Sequence, residues 1–162
     1  MLFGNFVRIF AQQLNYMNVI NKNKRVYFEY SILDKYTAGI QLMGTEVKSI
    51  KESKASITEA FCTIIDGEIF IIGMHISDYK KIKHTNHAPL RNRKLLLNRK
   101  EIDKLSKATK EKGLTIVPLS VFISDTGLIK LEIGLAKGKK TYDKRVAIRI
   151  KTINKELKNE LN

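Results

Sequence analysis

The chain has 162 residues, enough for one domain with a substantial core and not comfortably two. Its 30 Lys and Arg oppose 16 Asp and Glu, a formal net charge of +14, at an ordinary hydrophobic share of 43%; that surplus points to a polyanion, RNA or DNA before a membrane surface. The single cysteine excludes an internal disulfide and a paired-cysteine zinc site, no apolar run reaches the roughly 20 residues of a membrane span, and the absence of Trp removes a usual anchor of membrane-surface helices.

Residues 1–20 contain no acid and one cation, Arg8, among Phe3, Phe6, Ile9, Phe10, Leu14 and Met17. They lack the long apolar centre of a secretory signal and are too poor in Arg and Ser for a transit peptide. The segment reads as a flexible extension, with Met17 a second candidate start. Val26 to Met43 alternates and is rich in Tyr, Phe, Ile and Leu, which predicts two strands around Asp34-Lys35. Gly44 to Lys51 predicts a turn entering a short helix, with Glu46 at the positive end of its dipole. Ala60–Ile65 and Glu68–Ile72 flank Asp66-Gly67, a two-residue hairpin signal. Cys62 lies in the first of these apolar runs and reads as a small buried hydrophobe, compatible with a reducing cytoplasm.

Residues 78–94 are polar and basic and include Pro89, so they read as a long exposed loop. Asn98 followed by Glu101 matches a capping box opening a helix to about Lys112, with Ile102 and Leu105 on its buried stripe and Gly113 as its stop. Leu114–Ile123 and Leu128–Ile133 predict strands joined through Asp125-Thr126-Gly127. Gly134 to Arg145 then reads as a cationic linker from the last strand into a basic tail. These elements predict a mainly β fold: a small antiparallel barrel of the oligonucleotide-binding kind over residues 21–140, with short peripheral helices. The tail, residues 141–162, is disordered or conditionally helical.

Catalytic chemistry finds little support. His84 and His87 have helical metal-ligand spacing, but no second Cys or acidic cluster completes a site, so no metal and no cofactor is expected. No serine lies in a nucleophile elbow and no glycine in a phosphate loop. The cations around Gly138 and Tyr142 suit RNA phosphates and bases, the plain alternative being a solvated linker. Glu46 serves either as a helix-start charge or as an acceptor for a base edge.

The segments Gly44-Thr45-Glu46-Val47-Lys48-Ser49, Arg93-Lys94-Leu95-Leu96-Leu97-Asn98-Arg99, Val117-Pro118-Leu119 and Gly138-Lys139-Lys140-Thr141-Tyr142-Asp143-Lys144-Arg145 occur in one order within residues 21–147. In these motifs the chain resembles the small protein B family, the transfer-messenger-RNA-binding proteins of bacteria. The resemblance implies a non-enzymatic cytoplasmic monomer that binds the tRNA-like part of transfer-messenger RNA and supports its aminoacylation. With elongation factor Tu on that RNA, the family's protein delivers it to stalled ribosomes, its tail entering the empty messenger channel. The resemblance implies RNA contacts at Glu46, Lys48, Leu96 and Asn98, with Asn23, Lys24 and Arg25 beside them. It implies ribosome contacts at Lys137, Gly138, Lys139, Lys140, Tyr142, Asp143, Lys144 and Arg145, continued by Ile148, Arg149 and Lys151. Two departures stand out: Phe28 occupies a position that is often His in relatives, and the tail has no Trp and carries Glu156 and Glu160. A general RNA-binding barrel and a hydrolase centred on His84 and His87 are the competing readings.

Overall fold

The computed structural model describes residues 18–82 and 85–160. Strand β1 (Asn18–Lys22) leads into helix α1 (Lys24–Glu29), and β2 (Tyr30–Ile40) into helix α2 (Gly44–Lys51). Then come β3 (Ala55–Ser56), the hairpin β4 (Phe61–Ile65) and β5 (Glu68–Ile72), β6 (His75–Ile76) and β7 (Arg93–Leu96). Helix α3 (Arg99–Thr109) precedes β8 (Leu114–Ile123) and β9 (Ile129–Gly138), and helix α4 (Thr141–Glu160) ends the fold.

All strand pairs are antiparallel. Pairing runs β8–β4–β5–β7–β2–β9, and β9 returns to β8, which closes a barrel. β8 meets β9 along its whole length; on its other edge it pairs with β1 and, through Ile116 and Cys62, with β4. The barrel interior holds Ile69, Ile71, Leu95, Ile116, Leu131 and Ile133, each 1% exposed or less. A smaller cluster lies where α1 packs: Val26, Val117, Leu119 and Ala136 are buried together, with Tyr27, Tyr30 and Ile32 against them. β8 therefore contributes to two cores, which explains its nearly continuous apolar run.

The mainly β barrel with peripheral helices agrees with the sequence. The β4–β5 turn does too: Asp66 and Gly67 both have positive φ, 50° and 73°, as a two-residue hairpin turn of this type requires. Three local expectations are corrected. Val26–Met43 is not two strands: Lys24–Glu29 is helical, and Asp34-Lys35 lies within a single strand, at a bulge where the register shifts between Ile32 and Asp34. β9 runs to Gly138, with Lys137 opposite Ser31 and Leu114, so residues 134–138 are ladder rather than linker. Residues 18–20, assigned to the extension, belong to β1 because they pair with β8; residues 1–17 lie outside the described residues. The tail over Thr141–Glu160 is a helix. Among the described residues no helix is long and apolar enough to cross a membrane.

Candidate nucleic-acid interface

Glu46 lies in the first turn of α2 and has no solvent exposure. Its carboxylate accepts four hydrogen bonds. Oε1 takes one from Nε of Arg91 at 2.8 Å and one from Nε of Arg93 at 2.8 Å; Oε2 takes one from Nη2 of Arg91 at 2.6 Å and one from the Met43 N–H at 2.7 Å. Burial pushes this carboxyl up, but the donors Arg91, Met43 and Arg93, with the charge of Arg93, outweigh it and hold its pKa below the ordinary range. Arg93 is equally buried, and its remaining donors reach the carbonyls of Met74 (2.6 Å), Arg91 (3.0 Å) and Pro89 (3.1 Å). Every unpaired ion here would carry a heavy desolvation cost, so the triad is an obligatory set. The Arg91 side chain keeps a quarter of its surface, and its Nη2 also reaches the Gln41 carbonyl at 3.1 Å. Two guanidinium groups against one carboxylate leave a positive site at the end of β2.

This geometry gives Glu46 a structural part beside the RNA contact that the resemblance implied. With its carboxylate enclosed and engaged in this conformation, it fixes Arg91, the member that reaches solvent. Arg91 and Arg93 were missed as a site. Arg93 opens β7 and Arg91 lies two residues before it, and nothing local in that spacing identifies their partner, a carboxylate 45 residues or more earlier in the chain.

Asn23 is likewise 1% exposed. Its Nδ2 donates to the Ile57 carbonyl at 3.1 Å, and its Oδ1 accepts from the Val26 N–H at 3.3 Å, capping α1. Both polar ends are spent inside the protein, so an RNA contact from Asn23 is not available in this conformation. Lys24 is exposed. Arg25 is exposed but bridges Glu29 (2.8 Å) and Glu59 (2.7 Å).

Leu96 and Asn98 line an open groove of about 430 Å³ with Thr37, Glu68, Lys94 and Glu101. Leu96 is exposed, and its Cβ lies 3.2 Å from where a Cβ on Gly39 would stand, so a side chain there would press on it. The Asn98 N–H donates to Glu101 at 3.0 Å, half of the expected capping box. Groove and triad are neighbours: Gly39 pairs with Leu96, and two residues on Gln41 holds Arg91. Lys48 stands exposed on α2, with its Nζ 5.4 Å from the centroid of the Tyr79 ring. The Asn23–Arg25 cluster is instead tied to Ile57 and Glu59.

The tail cations divide. Lys139 is a fastening: its N–H donates to the Glu29 carbonyl at 2.9 Å and its Nζ to the Tyr27 carbonyl at 3.1 Å, at the carbonyl end of α1. Lys137, Gly138 and Lys140 are exposed beside it. Tyr142, Asp143, Lys144 and Arg145 open α4, with Asp143 favourably placed in its first turn. Arg149 and Lys151 are exposed on the same helix, as are the apolar Val146, Ile148, Ile150 and Ile153. His84 lies outside the described residues. His87 is buried with Nε2 donating to the Ile76 carbonyl (3.0 Å), which leaves Nδ1 to accept from the Thr45 hydroxyl (2.9 Å) in the neutral ring. The described residues contain no cluster of three metal-ligating groups.

A closed antiparallel barrel with an arginine-bearing rim and a basic helix on its last strand defines a polyanion-binding barrel protein. Comparison with known proteins narrows that class. The model of the SmpB protein family matches residues 20–162. A curated SsrA-binding protein of Christiangramia forsetii is 55% identical over 133 residues, covering 82% of this chain and 85% of its own. The SsrA-binding protein of Cytophaga hutchinsonii is 52% identical over 140 residues, 86% of this chain and 92% of its own. A solved chain described as "tmRNA-SmpB: a journey to the center of the bacterial ribosome" is similar at a TM-score of 0.64 and 41% identity, over 79% of this chain and 93% of that one. The chain belongs to the SmpB protein family.

Proposed function

We propose that this protein binds the tRNA-like part of transfer-messenger RNA, supports its aminoacylation and brings it to stalled ribosomes for trans-translation. The observation that carries the reading is the 55% identity to an SsrA-binding protein over 82% of the chain. The charge of +14 agrees with an RNA partner. Body and tail take different tasks. Arg91 and the Leu96–Asn98 groove form one RNA-facing surface, with Glu46 as the positioning residue behind Arg91, and Lys48 on α2 adds a further phosphate contact. Gly138 to Arg145, with Ile148, Arg149 and Lys151, face the ribosome's decoding centre and empty messenger channel. The protein acts as a monomeric cytoplasmic binding factor, not a catalyst, and meets elongation factor Tu through the shared RNA.

The test compares affinity for the tRNA-like domain of transfer-messenger RNA with affinity for an ordinary tRNA at about 150 mM salt, where nonspecific phosphate contacts are already weakened. Strong preference for the first is expected; equal binding would refute the reading. Replacing Asp143, Lys144 and Arg145 together by Ala should leave RNA affinity within about twofold and abolish tagging on the ribosome. Loss of RNA affinity in that variant would refute the division between body and tail.

A further inference from the structure

Between β6 and β7 the chain carries an aromatic ring with two ammonium groups turned towards it. Lys48 Nζ, from α2, lies 5.4 Å from the centroid of Tyr79, and Lys81 Nζ, from the same loop as the ring, lies 5.9 Å from it. The loop is latched. The Tyr79 N–H donates to Oδ1 of Asn86 at 3.1 Å, Nδ2 of Asn86 donates back to the Tyr79 carbonyl at 3.2 Å, and the Ile82 N–H reaches the same carbonyl at 3.1 Å. Buried His87 ties the loop's far side to Thr45 on α2. Tyr79 is half-buried and Lys48 and Lys81 are exposed. Glu52 pairs with Lys54 at 2.6 Å and lies 3.8 Å from Lys81, whereas Lys48 has no carboxylate partner among the described residues.

We infer that Tyr79, Lys48 and Lys81 form a site for one unpaired nucleotide, its base stacked on the Tyr79 ring and its phosphates held by the two lysines. Packing of the hydrophobic core does not require a latched ring on a polar surface loop. An ammonium over an exposed ring is worth about 0.5–1 kcal/mol, and a base stacked on an aromatic side chain about 1–3 kcal/mol. An incoming base therefore displaces the lysines from the ring, and each ammonium moves to a phosphate of the same strand. Single-stranded RNA is read in this way, through splayed bases on aromatic platforms with cations along the backbone. Lys48 stands two residues from Glu46 on α2 and so on another face of that helix, which makes the site a second RNA contact beside the one at Arg91. A second ring, Tyr27, also has two lysines near it, Lys22 at 5.4 Å and Lys35 at 5.7 Å. That ring packs against the α1 core cluster, and Lys35 faces Glu132 at 3.7 Å, so it is the poorer platform.

The inference rests on the RNA-binding reading above, and its test separates the two. The chain contains no Trp, so Tyr79→Trp introduces a unique fluorophore while keeping an aromatic ring. Binding of end-labelled tRNA-like domain is followed by anisotropy and indole emission in the same titration. Quenching of emission in step with the anisotropy rise, at an affinity equal to or above that of the unchanged protein, is the expected result. Anisotropy that rises without any change in emission overturns the stacking site and leaves the RNA-binding reading intact. Failure of the unchanged protein to prefer the tRNA-like domain over tRNA overturns the parent reading, and the site with it. Tyr79→Leu should weaken binding about 5- to 150-fold with an unchanged salt slope, and Tyr79→Phe should stay within about twofold. Lys48→Gln should reduce the salt slope by about 0.7–0.9. Equal losses for the Leu and Phe variants would assign the effect to the hydroxyl and overturn stacking.

Discussion

Replacing Glu46 by Gln keeps the side chain's shape and removes one negative charge between two guanidinium groups. The carboxylate accepts four hydrogen bonds, two on each oxygen. A glutamine amide accepts on one side only, so either orientation turns an NH2 towards two donors. Placed one way it confronts Nε of both arginines; placed the other way it confronts Nη2 of Arg91 and the Met43 N–H. Hydrogen bonds to charged groups contribute about 1.5–3 kcal/mol each, and breaking one partner out of a buried ion set costs about 3–5 kcal/mol. The expected loss is about 3–5 kcal/mol, a large part of the 5–15 kcal/mol typical of a domain, with a fall in Tm of about 6–20 °C. Urea or thermal unfolding at pH 7 measures it. The loss should shrink on acidification. The folded-state pKa of Glu46 lies below its ordinary 4.5, so its stabilising effect is complete above that value and is lost as pH falls through the folded one. A loss below about 1 kcal/mol at pH 7, the ceiling for an exposed ion pair, would refute the buried-triad argument. Normal stability with lost RNA affinity would refute the positioning role and restore Glu46 as a direct contact.

Asn23→Ala removes a helix cap and leaves the Ile57 carbonyl without its donor, so about 2–4 kcal/mol of stability should be lost. RNA affinity measured on the folded variant should stay within about twofold; a large loss would show that Asn23 meets the RNA. Gly73→Ala and Gly113→Ala share positive φ values, 77° and 88°, but only the first places its Cβ 3.0 Å from a backbone oxygen, that of Glu59. Urea midpoints should therefore show Gly73→Ala costing about 1–3 kcal/mol and more than Gly113→Ala; the reverse order would contradict the geometry. Burial pushes the Cys62 thiol pKa up, so a thiol reagent at pH 8 should label it only on unfolding, and free-thiol kinetics in the native state would contradict its place in the core.

Local signals carried the sequence reading where a short stretch decides its own conformation. Asp66-Gly67 made a hairpin because both residues accept positive φ. The run from Asn98 to Leu105 made a helix because its buried positions, Ile102 and Leu105, are three apart. The reading failed where distant chain decides. Six residues, Lys24–Glu29, are too few to display a helical period, and it is the outer face of β8 and β9 that α1 covers. Residues 134–138, with the single cation Lys137, looked like linker because their ladder partners, in β2 and β8, are remote in sequence. For the site, family motifs pointed to Glu46, Leu96 and Asn98 but carried nothing on the depth of each. Glu46 is enclosed because arginines some 45 residues later fold over it, and no local pattern shows that. Tyr79 carries no local signal as a site because its lysines come from two separate elements.

The strand order carries a consequence for how the molecule comes into being. β2 leaves synthesis early, yet its long partner is β9, with Tyr30 opposite Gly138. Until β9 appears, β2 can hold only its short pairing with β7, at Gly39 and Ile40. A growing chain can form the β4–β5 hairpin at once, but its ring stays open along the whole of β2. Such an exposed edge is a template for any passing strand, and closure between ends so far apart is slow compared with local folding. The nascent protein is therefore most exposed to mispairing just before its own completion, and a chain cut short ahead of residue 129 has no route to the native barrel.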